Sequence, residues 1–194
     1  MEIQREIRGG MNAVIAQLYG QFPYSSGKAK LAKLRNTIGK TDLTEAYPFL
    51  FQMMPEELLG RGAYLSDEEK AMVWSLQLYA LLQQGNDRCV HVKTERYENF
   101  GTSLARLREG GDSDAIDCRF NAMVLAETGE EFITHLRHLL RIFKSRDRLG
   151  TMDFGQLAVD IYQFIHRQEG KEAVRLRWSR EFYQFHSKGE EKND

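Results

Sequence analysis

Four cations, Arg137, Arg141, Lys144 and Arg148, recur at helical spacing within EEFITHLRHLLRIFKSRDR, residues 130–148. In the same stretch Phe132, Leu136, Leu139, Leu140 and Phe143 fall at i, i+4, i+7, i+8 and i+11, the spacing of one helical face. At about 100° per residue the cations land roughly 120° around the helix from that face. The pattern predicts a helix with an apolar side for a core and a basic side for something negative: solvent, a neighbouring carboxylate or a phosphate backbone. Positions 133 and 145, one turn before Arg137 and one turn after Arg141, are Ile and Ser, so no acid neutralises the middle of the stripe at i±4.

Catalytic chemistry finds less support. No Gly-rich phosphate loop, dinucleotide fingerprint or GxSxG elbow occurs. His135 and His138 stand three apart on the same helix and could ligate a metal, but no HExxH or ExxH context accompanies them. Partly exposed histidines beside a basic face are the simpler reading. Cys118 is expected on the core side of a helix, as a small buried thiol. The pair Glu130-Glu131 at a helix start answers the helix dipole rather than marking an acid–base site. No active site, cofactor or metal is expected.

Other cations cluster as well. Lys28, Lys30, Lys33, Arg35 and Lys40 lie between residues 27 and 40 with no acid among them. Arg106 with Arg108, Arg119, and Arg175, Arg177 and Arg180 follow. Taken singly, each cluster is explained by a solvated helix face with weak local ion pairs. Arginine outnumbers lysine in the C-terminal half, which suits bidentate phosphate contact.

The elements that must carry these residues are helical. The chain has 194 residues, 42% apolar and 28% charged, within the range of one soluble domain or two small ones. Its net charge of −1 argues against coating nucleic acid through sheer basicity. The acids gather elsewhere, at Glu56, Glu57, Asp67, Glu68, Glu69 and the Glu190-Glu191 tail. No apolar run approaches the roughly 20 residues of a membrane span. Residues 1–21 are interrupted by Arg5, Arg8 and Gln17, unlike a secretory signal. Cys89 and Cys118 fit no CxxC pattern, so reduced thiols and a cytoplasmic location are expected.

All three prolines, Pro23, Pro48 and Pro55, lie in the first third. Helices are expected over 2–21, weakened or split at Gly9-Gly10, and over 27–38, with short turns from 43 to 59. Ser66 and Glu69 form a capping box for a strong helix ending at Gly85. CVHVK (89–93) could be a strand but has no evident partner. Shorter helices over 102–108 and 114–127 precede the basic helix. Asp153 with Gln156 caps a further one, and Gly170 breaks the chain before a last helix over 171–186. The fold class is all-α: an N-terminal helical part (1–99), a C-terminal four-helix bundle (100–187) and a polar tail (188–194), with the seam near the irregular loop 86–99.

The order of GKAKLAKLRN (27–36), NFGTSLARLREGGD (99–112), CRFNAMVLAET (118–128), HLRHLLRIFKS (135–145), MDFGQLAVDIYQF (152–164) and VRLRWSREFY (174–183) resembles the CasB family, small subunits of the type I-E CRISPR Cascade complex. The resemblance spans about residues 26–185. It implies an all-helical, non-enzymatic subunit in a crRNA-containing complex with other Cas proteins. It also implies a second copy of the subunit, and contact with target DNA and the displaced non-target strand. The cations it carries over are Lys33, Arg35, Arg106, Arg108, Arg119, Arg137, Arg141, Arg175, Arg177 and Arg180. Lys144 and Arg148 rest more on the helical stripe, and Lys28 on the first cluster. An alternative remains open, a helical adaptor that bridges other subunits without touching the strand.

Overall fold

The structure is a computed structural model that describes residues 2–40, 42–94, 100–110, 113–147 and 150–184. Among these, nine α-helices carry the chain: α1 (Glu2–Gly20), α2 (Ser25–Asn36), α3 (Tyr47–Met53), α4 (Asp67–Gln83), α5 (Phe100–Ala105), α6 (Ser113–Val124), α7 (Gly129–Arg146), α8 (Phe154–His166) and α9 (Gln168–Gln184). Short 3-10 turns, Glu56–Leu58 and Arg106–Gly110, follow α3 and α5. The fold is all-α.

Local chemistry sets the helix starts. Ser66 accepts a hydrogen bond from Glu69 N, and Glu69 returns one from Ser66 N at 2.8 Å, closing the expected capping box of α4. Thr128 and Glu131 make the same box for α7, a T-x-x-E signal that the sequence reading passed over. At α8 only half a box forms. Asp153 accepts from Gln156 N at 2.9 Å, whereas the Gln156 side chain turns forward to Asp160.

Helix α4 is buried almost all round and α8 nearly so, which places them at the centre. They pack on each other. Helices α1, α2 and α7 also lie against α4, and α1 and α9 against α8. The buried side chains form one continuous cluster from Ile7 to Phe182. In its C-terminal half the rings of Phe120 and Phe182 stack at 3.7 Å, Phe132 and Phe164 at 4.1 Å, and Trp178 sits against Phe100 and Phe132.

Several expectations change. Gly9-Gly10 does not divide α1, and Gly10 lies so close to the turn after α3 that a Cβ would stand 2.9 Å from Pro55 Cγ. Residues 89–93 form no sheet strand. Val92 donates to Met152 O and Met152 to Val90 O, an isolated parallel bridge that pins this segment beside the start of α8. Cys118 is exposed rather than inward, being on the outer face of α6, and both cysteines are free thiols. Arg148, residues 95–99 and the tail 188–194 lie outside the described residues.

The break before the last helix is at Arg167, in extended conformation, and Gly170 lies inside α9. A Cβ at Gly170 would stand 2.3 Å from Gln163 O at the end of α8. Helix propensity favours Gly→Ala by about 1 kcal/mol, but this backbone collision must outweigh it. Gly170→Ala is therefore expected to lower thermal stability, and a raised melting temperature in calorimetry would refute this packing.

Candidate nucleic-acid interface

The C-terminal end of α4 brings the 27–40 cluster and the α7 stripe together. Lys144 of α7 donates to Leu81 O at 2.7 Å, and Arg35 of α2 reaches Ala80 O at 3.5 Å. Both carbonyls belong to the last turn of α4, the negative end of its dipole, which attracts cations from either flank. The result is two like charges drawn toward each other. Burial lowers the pKa of Lys144, and the neighbouring Arg35 charge lowers it further; burial likewise lowers that of Arg35.

One turn or two back along α7, Arg137 packs over Gly39 in the turn after α2, with Lys40 beside it. Arg141 is exposed between Arg137 and Lys144. Arg119 is exposed on the neighbouring α6, its Nη1 donating to Ala115 O at 2.9 Å. His138 registers this concentration of charge. Its pKa is lowered by partial burial and then by Arg137, Arg141, His135 and Arg119 in turn. A histidine whose protonation is disfavoured by three neighbouring arginines fits the basic-face reading of the His135/His138 pair. Among the described residues no group of three His, Cys, Asp or Glu is placed to hold a metal.

The predicted cations thus separate by environment. Arg35, Arg137, Arg141 and Lys144 lie along α7 and the adjoining α2, with Arg35 and Lys144 at the end of α4, and Arg119 on α6 lies near His138 of α7. Lys33 and Lys28 are exposed on α2, with Lys28 Nζ 5.9 Å from the Phe22 ring centre. Arg106 and Arg180 are exposed elsewhere. None of these nine forms an ion pair among the described residues.

Arg108, Arg175 and Arg177 stand apart. Arg108 forks onto Asp117 at 2.8 and 3.2 Å while covering the rings of Phe182 and Tyr183. Arg175 ties α9 to Ala126 O and Glu127. Arg177 meets the fully buried Asp160 at 2.8 Å. The structure puts these three into packing rather than onto the open face. Sequence spacing could not tell them apart, because their acids, Asp117, Glu127 and Asp160, come from elsewhere in the chain. Lys40, counted with the 27–40 cluster, lies beside Arg137.

The sequence matches the family described as CRISPR-associated protein Cse2 over residues 30–183. A search of curated proteins gives no match. Among solved structures, CasB from Thermobifida fusca is similar with a TM-score of 0.72 at 21% identity, covering 92% of this chain and 98% of that one. A CRISPR-associated protein of the Cse2 family from Thermus thermophilus follows, with a TM-score of 0.65 at 21% identity and coverages of 90% and 98%. A chain of a CRISPR RNA-guided surveillance complex has a TM-score of 0.64 at 16% identity, with 92% and 96% covered. The family match runs from the middle of α2 nearly to the end of α9, and so takes in every helix that builds the basic face. On that match the chain belongs to the CRISPR-associated Cse2, or CasB, family.

Proposed function

We propose that this chain is a non-enzymatic small subunit of a Cascade-type, crRNA-containing CRISPR complex, and that it holds the displaced DNA strand through its α2–α6–α7 face. The likeness to a chain of an RNA-guided surveillance complex supports the setting. The observation that carries the strand contact is the Arg35–Lys144 approach. Two cations, both partly desolvated and in no ion pair among the described residues, form a site whose missing counter-charge a phosphate supplies. Arg137, Arg141 and Arg119 extend the track, and a second copy of the chain would lengthen it.

Such contacts carry no sequence information, which the task requires. Exchanging a DNA duplex for an RNA–DNA hybrid is close to balanced, so weak phosphate contacts to the released strand suffice to tip it. The net charge of −1 keeps binding by the isolated chain modest, and several weak contacts add up within an assembly.

Reconstitution of the complex without this chain tests the reading. An assembled complex that opens target DNA but lets the displaced strand re-pair supports it. Loss of the other subunits from the assembly would instead establish the adaptor role and overturn the strand-holding one.

A further inference from the structure

A cavity of about 170 Å³ opens beside Arg137, between the turn after α2 and the first half of α7. Ile38, Ile133 and Trp74 give it apolar walls, and Lys40, Glu130 and Arg137 give it charged edges. Arg137 lines it with a guanidinium, a planar fork of N–H donors. The six-membered ring of Trp74 rests over Gly129, where a Cβ would stand within 3.0 Å of it, so the indole is held by its far edge.

We infer that this cavity receives one unstacked nucleobase of the bound single strand. A base has the two properties the walls ask for at once: apolar faces, and an edge carrying both acceptors and donors. Ring carbonyls or ring nitrogens accept from the Arg137 guanidinium, and Glu130 accepts from amino or imino groups. A phosphate would satisfy Arg137 and Lys40 but would bring Glu130 an added like charge and waste the apolar walls. The inference rests on the strand-holding reading, since the cavity lies on that face. It adds that the face prefers single strands, whose bases are free to leave the stack.

The chain contains two tryptophans, and the other, Trp178, is buried with its Nε1 donating to Asp160 at 2.7 Å. Indole N–H signals in an NMR titration of the full chain therefore separate the cavity from the core. Oligo(dT) should shift the Trp74 signal and leave that of Trp178, whereas an abasic strand of equal length and inorganic phosphate should move neither. Thr134→Phe, at an exposed position lining the cavity, should erase the shift and weaken oligo(dT) binding about fivefold or more, the scale of one base–aromatic stack. Its salt slope should stay unchanged, because no phosphate contact is removed. A Trp74 shift with the abasic strand or phosphate alone would overturn the base assignment. Oligo(dT) binding that leaves Trp74 unmoved would overturn the cavity while preserving the strand-holding face. No binding of oligo(dT) to the chain at any salt would overturn both.

Discussion

Replacing Arg35, Arg137, Arg141 and Lys144 together with glutamine is expected to weaken single-strand binding roughly a hundredfold near physiological salt. The estimate comes from counter-ion release. Each phosphate contact to a single strand contributes about 0.7 to the slope of log affinity on log salt, so four contacts account for about 3. Binding isotherms at several salt concentrations measure that slope directly. A slope unchanged by the four substitutions would remove this face as the contact surface. The same changes at Arg108, Arg175 and Arg177 should leave the slope alone, since those guanidiniums are turned onto Asp117, Glu127 and Asp160.

Stability should move the other way from binding. Lys144 has its folded pKa lowered from the usual lysine value of 10.5, first by burial and then by Arg35. Its charged form is therefore disfavoured by folding at neutral pH. That penalty is lifted as pH rises from the folded pKa toward 10.5, so the wild-type chain gains stability over that window. Lys144→Gln removes both the penalty and the gain. Urea denaturation at neutral pH and at about pH 10 should show the wild type closing its gap on the variant. A gap that widens with pH would mean that the hydrogen bond to Leu81 O outweighs the repulsion.

The apolar spacing of α7 was readable because one face of the helix is buried and the other is not. Phe132, Leu136, Leu139, Leu140 and Phe143 are all buried, as their period requires. Glycine was harder, because its two roles look alike in sequence. Gly170 reads as a helix breaker but permits a close approach, and the distinction depends on Gln163 of another helix. Cys118 was misplaced for a related reason: the inward face of α6 is taken by Ile116, Phe120 and Met123, leaving the thiol outside. For the site, sequence located the cations but not their partners. Arg141 and Arg177 are the same residue type on amphipathic helices, and only the tertiary position of Asp160 separates an open charge from a paired one.

That carboxylate sets the largest expected effect on the fold. Asp160 is fully buried on α8 and accepts three hydrogen bonds: from Trp178 Nε1 at 2.7 Å, Arg177 at 2.8 Å and Gln156 Nε2 at 2.9 Å. Burial pushes its pKa up, opposed by the Arg177 charge and the donors around it. Desolvation of such an ion is offset only while its partners are all present. Asp160→Ala strands a buried indole N–H and takes from Gln156 and Arg177 part of their sets, so a loss of about 3–5 kcal/mol is expected. For a chain of this size that lowers Tm on the order of 10 °C. Asp160→Asn keeps the shape and one acceptor oxygen but turns its NH2 onto the Trp178 donor or the Arg177 and Gln156 donors, so it should cost less than Asp160→Ala while still destabilising. A double cycle with Arg177→Met separates the ion pair from the hydrogen bonds: coupling near zero would mean that Trp178 and Gln156, rather than Arg177, justify a buried acid at the centre of the α8–α9 contact.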